Sequence, residues 1–492
     1  MITNWLQILQ SQSRMGGSLQ LRRIRLPRLA TNYALLSGAE FISKVLGAIA
    51  FAYLARVLGP QPYGYLEFII AIIFFFTLVV DSGLGSYGAR EIAKDKNNYA
   101  RLTTHITLAR FLLACVAFVI LILITVSFKQ PQEIQLLLFF YSLTLFALPT
   151  LAQWVFQGQD IMSYVALASI IRWTTFSVGV LVFVKSSDQL LKIPIIEGLA
   201  ILLTGVFLFG ALVFNFGLPR YRIDLGQTFS IFRQAFPIGA SELVWAIKVY
   251  FGTILLGLVI GGSQLGWYGA ANRIVISLHA FVWLYFYNLL PSISRTSQEP
   301  IGSLQRLMRI SIRITAWAAI FVGVFGTAFA STGIRILYGP QYEEAAAALQ
   351  ILIWLLPLAL LSGNFRYTLI GYSKQTLEFV SAFIGAMISI FLNLILVRLY
   401  GFLGAAWALV LSEAVILILV YFIVRREITF LPIWNQLRWP MFAGIITIVA
   451  MYLLSSINIW LSGSLTIILF VIILFLSQPN LLNDLRSMSI QD

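Results

Sequence analysis

Charge is the scarcest thing in this chain. Asp, Glu, Lys and Arg together make up 11% of its 492 residues, less than half of the roughly 25% found in an ordinary soluble domain. Surface-to-volume scaling leaves any globule a large exterior, and a chain with so few charges cannot clothe one in water, so a soluble globular protein is excluded. Cysteine is almost missing: Cys115 stands alone inside an apolar run, which excludes an intramolecular disulfide, a Cys-based zinc site and a redox pair. His105 and His279 are the only histidines, too few for a His-rich metal centre. No Gly-x-x-x-x-Gly-Lys-Ser/Thr loop is present, so ATP hydrolysis has no phosphate cradle. The joints between apolar runs are all too short to fold into a soluble catalytic domain, and no cofactor is implied.

What is abundant is apolar surface. Hydrophobic residues are 60% of the chain, with 38 Phe, 20 Tyr and 12 Trp, and the mean hydropathy is +0.90. Lipid must replace water around much of it. A helix crossing about 30 Å of hydrocarbon needs roughly 20 mainly apolar residues. The chain divides into about fourteen such pieces, over 32–57, 65–80, 107–127, 134–156, 162–184, 194–217, 236–260, 265–290, 314–332, 349–370, 377–397, 402–424, 440–454 and 460–476. These runs are continuous, whereas barrel strands alternate over about ten residues; an all-α polytopic membrane protein is expected.

Orientation follows from Lys and Arg, which concentrate in cytoplasmic joints. Most of the 33 basic residues fall on one side, among them Arg22, Arg23, Arg25, Arg90, Lys94, Arg101, Arg233, Arg306, Arg309, Arg313, Arg425, Arg426 and Arg438. The other side holds Arg56, Lys129, Lys185, Lys192, Arg335 and Arg398. The net charge of +14 is therefore a topology signal and gives no support to nucleic-acid binding. Both termini are expected in the cytoplasm. The first thirty or so residues read as a basic cytoplasmic arm with no removable signal peptide.

The first span contains Glu40 and Lys44, the seventh Glu242 and Lys248, and each is followed by a Tyr-Gly pair, Tyr63-Gly64 and Tyr268-Gly269. Six intervening spans give both copies the same orientation, as in parallel transporter repeats. This predicts two six-helix lobes around a central cavity, with two further helices behind. The expected segments are an arm (1–31), a first lobe (32–217), a linker (218–235), a second lobe (236–426), and the last two helices with a short tail (427–492).

Several stretches carry a family resemblance: Ala55-Arg56-Val57-Leu58-Gly59-Pro60 with Tyr63-Gly64, Asp81-Ser82-Gly83-Leu84 running to Ala89-Arg90-Glu91-Ile92-Ala93, and Trp154-Val155-Phe156-Gln157-Gly158. Gly266-Trp267-Tyr268-Gly269-Ala270-Ala271-Asn272-Arg273, Leu290-Pro291 and Leu337-Tyr338-Gly339-Pro340-Gln341-Tyr342 complete the set. In this order the sequence resembles the polysaccharide exporters of the multidrug/oligosaccharidyl-lipid/polysaccharide (MOP) superfamily, the Wzx-type O-antigen flippases. The resemblance implies a transporter without ATP hydrolysis in the bacterial inner membrane. Its substrate would be an undecaprenyl-pyrophosphate-linked oligosaccharide, turned from the cytoplasmic to the outer leaflet for cell-surface polysaccharide. The polymerase and glycosyltransferases of that pathway are implied partners, beside membrane lipids. Alternatives are an ion-coupled drug and toxin antiporter, a peptidoglycan-precursor flippase and, from another class, a membrane glycan polymerase.

Such cargo demands a polar passage, and charges within spans are costly enough to mark it. Lys44, Lys248 and Arg273 are the candidate pyrophosphate contacts. Glu40, Glu242, Glu378 and Glu413 are candidates for coupling to H+ or Na+. Glu40 and Lys44, four apart, share a helix face and could instead simply pair; Glu242 and Lys248, six apart, point to opposite sides. Arg273 could equally snorkel to headgroups. Arg110 and Arg172 are expected as interfacial anchors. Trp245 and Trp283, away from the span ends, are candidate sugar-stacking residues, and His279 is expected as a satisfied buried donor.

Overall fold

The computed structural model describes residues 28–127, 131–219, 221–454 and 459–478. Nearly all of the expected N-terminal arm, and the tail beyond 478, lie outside the described residues. The first lobe consists of α1 (Arg28–Leu58), α2 (Pro60–Asp81), α3 (Leu84–Lys94), α4 (Tyr99–Ser127), α5 (Gln132–Leu143), α6 (Gln153–Gly158), α7 (Met162–Phe183) and α8 (Lys192–Phe216). The second runs through α9 (Leu225–Val259), α10 (Gly262–Thr296), α11 (Ile301–Ala328), α12 (Ala330–Tyr338), α13 (Ala345–Leu352), α14 (Leu355–Gly371) and α15 (Gln375–Glu427). Then come α16 (Trp434–Leu453) and α17 (Ile459–Ser477).

Local chemistry sets the boundaries. Pro60 opens α2 after Gly59 at φ 76°, using the one helical position where a missing N–H costs nothing. Asp224 caps α9 by accepting from the Gly226 and Gln227 amides, which starts that helix well before the span expected at residue 236. The fourth crossing of each lobe is broken. In the first, a 3-10 segment Thr144–Thr150 holding Pro149 separates α5 from α6; in the second, α14 restarts after α13 with Pro357 in its first turn. Proline lacks the donor an unbroken helix needs.

Helix α15 has 53 residues, about 80 Å at 1.5 Å per residue, far more than one crossing. It breaks at Gly401 (φ 59°, ψ −135°) and folds back on itself: a Cβ on Gly385 would sit 2.3 Å from the Ile416 side chain. Its halves are the spans expected over 377–397 and 402–424. Among the described residues, 12 helical stretches are long and apolar enough to cross a membrane, with Leu461–Ser477 a shorter one. With the two halves of α15 counted separately and the shorter Leu461–Ser477 helix added, the count is roughly consistent with the expected fourteen.

The lobes echo each other. Helix α1 packs along α7, and α9, its counterpart, packs along α15. Helices α2 and α10, also counterparts, meet at the boundary between lobes, where α2 also lies against α9. Behind the second lobe, α16 packs on α11 and α17 around a small apolar cluster of Trp317, Phe325, Ala443 and Phe470.

The end bearing Arg90, Arg233, Arg309 and Arg425 will be called the basic end. Toward the far end α1 buries Ala50, Phe51, Leu54, Ala55 and Leu58, and α10 buries Leu265, Tyr268, Ala270 and Ala271. Toward the basic end the same helices expose Phe41, Val45 and Ile49, and Leu278, Phe281, Trp283 and Tyr287. The lobes are thus closed at the far end, while at the basic end α1 and α10 leave these side chains exposed and meet through Phe41 and Phe281, and α2 joins the lobes along its length.

Candidate functional site

The far-end closure is built from small residues that let the lobes touch backbone to backbone. A Cβ on Gly266 of α10 would fall 1.9 Å from the Pro60 carbonyl oxygen, and one on Gly64 of α2 would fall 2.7 Å from the Gly266 amide nitrogen. One turn deeper, Arg273 of α10 donates to Glu67 of α2 through Nε at 3.0 Å and through Nη2 to both carboxylate oxygens at 2.7 Å. Its guanidinium lies 3.7 Å from the centre of the Phe51 ring on α1. A fork on a carboxylate, backed by an aromatic face, is the geometry guanidinium suits best. Tyr342 donates to the Ala55 carbonyl at 3.0 Å, and Gln341 to that of Arg56 at 3.0 Å. Each of these contacts joins one lobe to the other.

Inside the second lobe, on its basic-end half, is a cavity of about 620 Å³ lined by α9, α14 and α15. Trp245, Lys248, Arg366, Glu378, Ser241 and Phe379 face it. Lys248 Nζ pairs with Glu413 Oε2 at 2.5 Å, and Ser362 donates to the other oxygen of Glu413 at 2.8 Å. Arg366 pairs with Glu378 through two donors at 2.9 and 2.5 Å. Both carboxylates are thus neutralised by cations of the same lobe; the cavity itself is lined by Lys248, Arg366 and Glu378, with Glu413 buried outside its lining. Trp245 stands at its rim in edge contact with Phe74 of α2, so the cavity borders the lobe boundary.

At the basic end Glu40 and Lys44 form the expected i,i+4 ion pair at 3.4 Å, with both side chains about half exposed. Their neighbour Phe41 touches Phe281 of α10, so this face of α1 turns toward the second lobe. Trp283 stacks on Tyr287 at 5.1 Å on the opposing helix. Glu242, on the other side of α9 from Lys248, comes near Asp81; of the four candidate coupling carboxylates it makes no ion pair among the described residues.

Arg110 departs from its expected place at the interface. It is buried, pairs with Asp81 and donates to the Leu151 carbonyl at 3.0 Å, which ties α4 to α2 and to the break in the fourth crossing. Arg172 joins Glu197 at 2.7 Å between α7 and α8. His279 is partly buried on α10. Sequence reasoning brought Trp245, Lys248, Glu378 and Glu413 to notice separately, and folding gathers them. It missed Glu67, Asp81 and Arg366; the signal for Glu67 was a lone carboxylate in the apolar run 65–80. No cluster of His, Cys, Asp and Glu that could hold a metal ion occurs among the described residues.

A bundle of broken, apolar helices with charges buried in ion pairs within the lobes, at their boundary and beside an internal cavity defines a multi-pass helical membrane protein. Solved structures share its fold. The chain is similar to the lipid II flippase MurJ in an inward closed conformation (TM-score 0.73, 16% identity, covering 91% of this chain and 100% of that one). It is also similar to an inward-facing multidrug resistance MATE family transporter of the MOP superfamily (TM-score 0.65, 13% identity, 80% of this chain and 95% of that one). Residues 29–297, more than half of the chain, match the model of the polysaccharide biosynthesis protein family, and the chain belongs to that family. Among curated relatives, a protein of Escherichia coli K12 provisionally named an O-antigen transporter is 22% identical over 412 residues, covering 82% of this chain and 98% of that protein. The amylovoran biosynthesis protein AmsL of Erwinia amylovora is 26% identical over 259 residues, half of this chain and 64% of that one.

Proposed function

We propose that the chain is an alternating-access flippase of the bacterial inner membrane. It turns an undecaprenyl-pyrophosphate-linked oligosaccharide from the cytoplasmic to the outer leaflet. The basic end is cytoplasmic on this reading, with both termini there, and the lobes over 32–217 and 236–426 are the moving bodies. The observation that carries it is the cavity of the second lobe lined by Lys248, Arg366 and Trp245, which borders the lobe boundary through the contact of Trp245 with Phe74. A lipid-linked substrate would leave its tail in the bilayer while the polar head exchanges water for the polar groups of the cavity.

The pairing of the cavity carboxylates favours an anionic head over an organic cation. Glu378 and Glu413 are each held by Arg366 or Lys248, so neither offers a free negative charge to a cationic drug. A pyrophosphate could instead exchange with these carboxylates for the same donors. Arg273 serves as half of the far-end lock with Glu67 in this state and becomes available to the pyrophosphate only when the lobes part there. An inside-negative potential favours outward movement of an anion by about 2.3 kcal/mol per charge per 100 mV. Where a proton or sodium ion is coupled, Glu242 is the open carboxylate, since Glu40, Glu378 and Glu413 already have partners.

The test is reconstitution in liposomes with a labelled undecaprenyl-pyrophosphate oligosaccharide. Movement between leaflets is followed with and without an imposed potential, for the wild type, Lys44→Ala and Arg366→Ala. Potential-sensitive flipping that falls sharply in the folded variants is expected. Absence of flipping together with ion-coupled efflux of organic cations would transfer the chain to the antiporter branch.

A further inference from the structure

Two motifs of the sequence share one local chemistry and take no part in the cavity of the second lobe: Leu58-Gly59-Pro60-Gln61 between α1 and α2, and Tyr338-Gly339-Pro340-Gln341 after α12. In both, a helix stops at a glycine of positive φ, 76° at Gly59 and 89° at Gly339, and the chain restarts with a proline. A helical carbonyl is ordinarily taken by the amide four residues on, and proline has no amide hydrogen to give. The carbonyls four before the prolines, those of Arg56 and Ile336, are therefore orphaned by the sequence itself.

The fold lays the two corners against each other across the far end, and each supplies what the other lacks. Arg56 of the first lobe donates through Nη2 to the Ile336 carbonyl and through Nε to that of Leu337 at 2.8 Å. Gln341 of the second lobe donates to the Arg56 carbonyl at 3.0 Å, and Tyr342 beside it to that of Ala55 at 3.0 Å. The Arg56 charge thereby sits in the last turn of α1 and against the last turn of α12, the end of a helix dipole where a cation is favoured. Beneath these bonds Tyr63 of α2 meets Tyr342 edge to face, with ring centres 6.0 Å apart and both side chains fully buried. Arg56 and Gln341 themselves are exposed, so water can replace their bonds when the lobes part, and each bond is worth little net. Such a contact can be made and released repeatedly, unlike one that strands a buried charge when it breaks.

We propose that the two Gly-Pro corners are a reciprocal latch between the lobes: Arg56 and Gln341 hold the far end shut by filling each other's orphaned carbonyls, and both let go when that end opens. The latch lies outside the Glu67 and Arg273 pair and adds to it. Its place in a transport cycle rests on the alternating-access reading, whereas its action as a contact between lobes does not.

Spin labels at Lys185→Cys and Arg398→Cys, in a Cys115→Ala background of the full chain, report the far-end distance by pulsed electron paramagnetic resonance without any cargo. Arg56→Ala/Gln341→Ala removes three of the four crossing bonds and should raise the ratio of open to closed lobes about tenfold or more. Arg56→Lys keeps the charge but cannot fork across two carbonyls, and a smaller shift in the same direction is expected. Arg335→Ala removes a basic residue from the last turn of α12 that makes none of the crossing bonds, and should leave the distances unchanged. An unchanged distribution in a monodisperse Arg56→Ala/Gln341→Ala protein overturns the latch. So does equal lengthening in Arg335→Ala, which would reduce the effect to charge at that end. If the double variant does not fold, the single exposed exchange Arg56→Lys decides in the same way. Flipping of a labelled lipid-linked oligosaccharide by the wild type separates the two readings: no flipping beside a latch-dependent distance removes the transport reading and leaves the latch.

Discussion

Replacing Glu67 by Gln removes half of the lock that closes the far end. In the closed state the carboxylate receives three donor contacts from Arg273, at 3.0, 2.7 and 2.7 Å. Glu67 is 9% and Arg273 23% exposed in the side chain. Removing one member of a buried pair strands the other and costs roughly 3–5 kcal/mol. Because Arg273 keeps some solvent and the face of Phe51, the lower bound applies, about 3 kcal/mol or roughly a hundredfold in the ratio of closed to open lobes. The assay is pulsed electron paramagnetic resonance between spin labels at Lys185→Cys and Arg398→Cys, one on the far end of each lobe, in a Cys115→Ala background. Glu67→Gln should move much of the distance distribution to longer values. Reversing the pair as Glu67→Arg/Arg273→Glu should bring much of it back. An unchanged distribution in a monodisperse Glu67→Gln protein would falsify the assignment of this pair as a lock, leaving it a static tie.

The remaining predictions use the same contacts. Gly266→Ala places a methyl group within 2 Å of the Pro60 carbonyl, its Cβ falling at 1.9 Å, so the same labels should report a lengthened far-end distance even with the Glu67 and Arg273 pair intact. Glu413→Gln strands the Lys248 ammonium and should lower stability by about 3 kcal/mol or more, whereas Lys248→Met/Glu413→Leu removes both charges and should recover most of the loss; thermal unfolding in detergent compares them, and equal melting of the two variants would contradict the coupling. Gly401 sits at φ 59° and ψ −135°, a region only glycine occupies freely. Gly401→Ala should cost about 1–3 kcal/mol, and Gly401→Asn, which tolerates ordinary left-handed turns, should give no rescue in the same melting assay. Arg110→Ala should melt earlier than wild type because Asp81 loses its buried partner, while membrane yield stays near normal; lost membrane insertion with unaltered melting would return Arg110 to an interfacial anchor.

What could be read along the chain was whatever depends on one segment at a time. Apolar run length set the number of crossings, down to the pair formed by α16 and α17. The Glu40 and Lys44 pair followed from helical spacing alone. Gly401 and Gly59 were visible as breaks between runs because a short polar or glycine-bearing joint interrupts hydropathy. Helix α9 began earlier than hydropathy suggested, since its first turns are polar and its start is fixed by the Asp224 cap. Arg110 was misplaced for a related reason: position along a helix tells how deep a charge lies but not which neighbour waits there. Asp81 stands 29 residues away in sequence, on another helix.

Composition and periodicity by themselves determined that this is a helical membrane protein, where its apolar spans lie, and which joints are basic, while the polar first turns of α4, α9 and α11 lay outside the expected spans. Those properties arise from transfer of single segments between water and lipid, and the free energy of that transfer is a sum over the segment's own residues. Only the tertiary structure decided that Arg273 meets Glu67 from 206 residues away, that Lys248 meets Glu413 from 165 residues away, and that Lys248, Arg366 and Glu378 line one cavity. It also decided which end of the boundary is shut. An ion pair or a glycine contact gains its free energy only when two surfaces are brought together, and no local pattern in either segment records the shape or charge of the surface it will face.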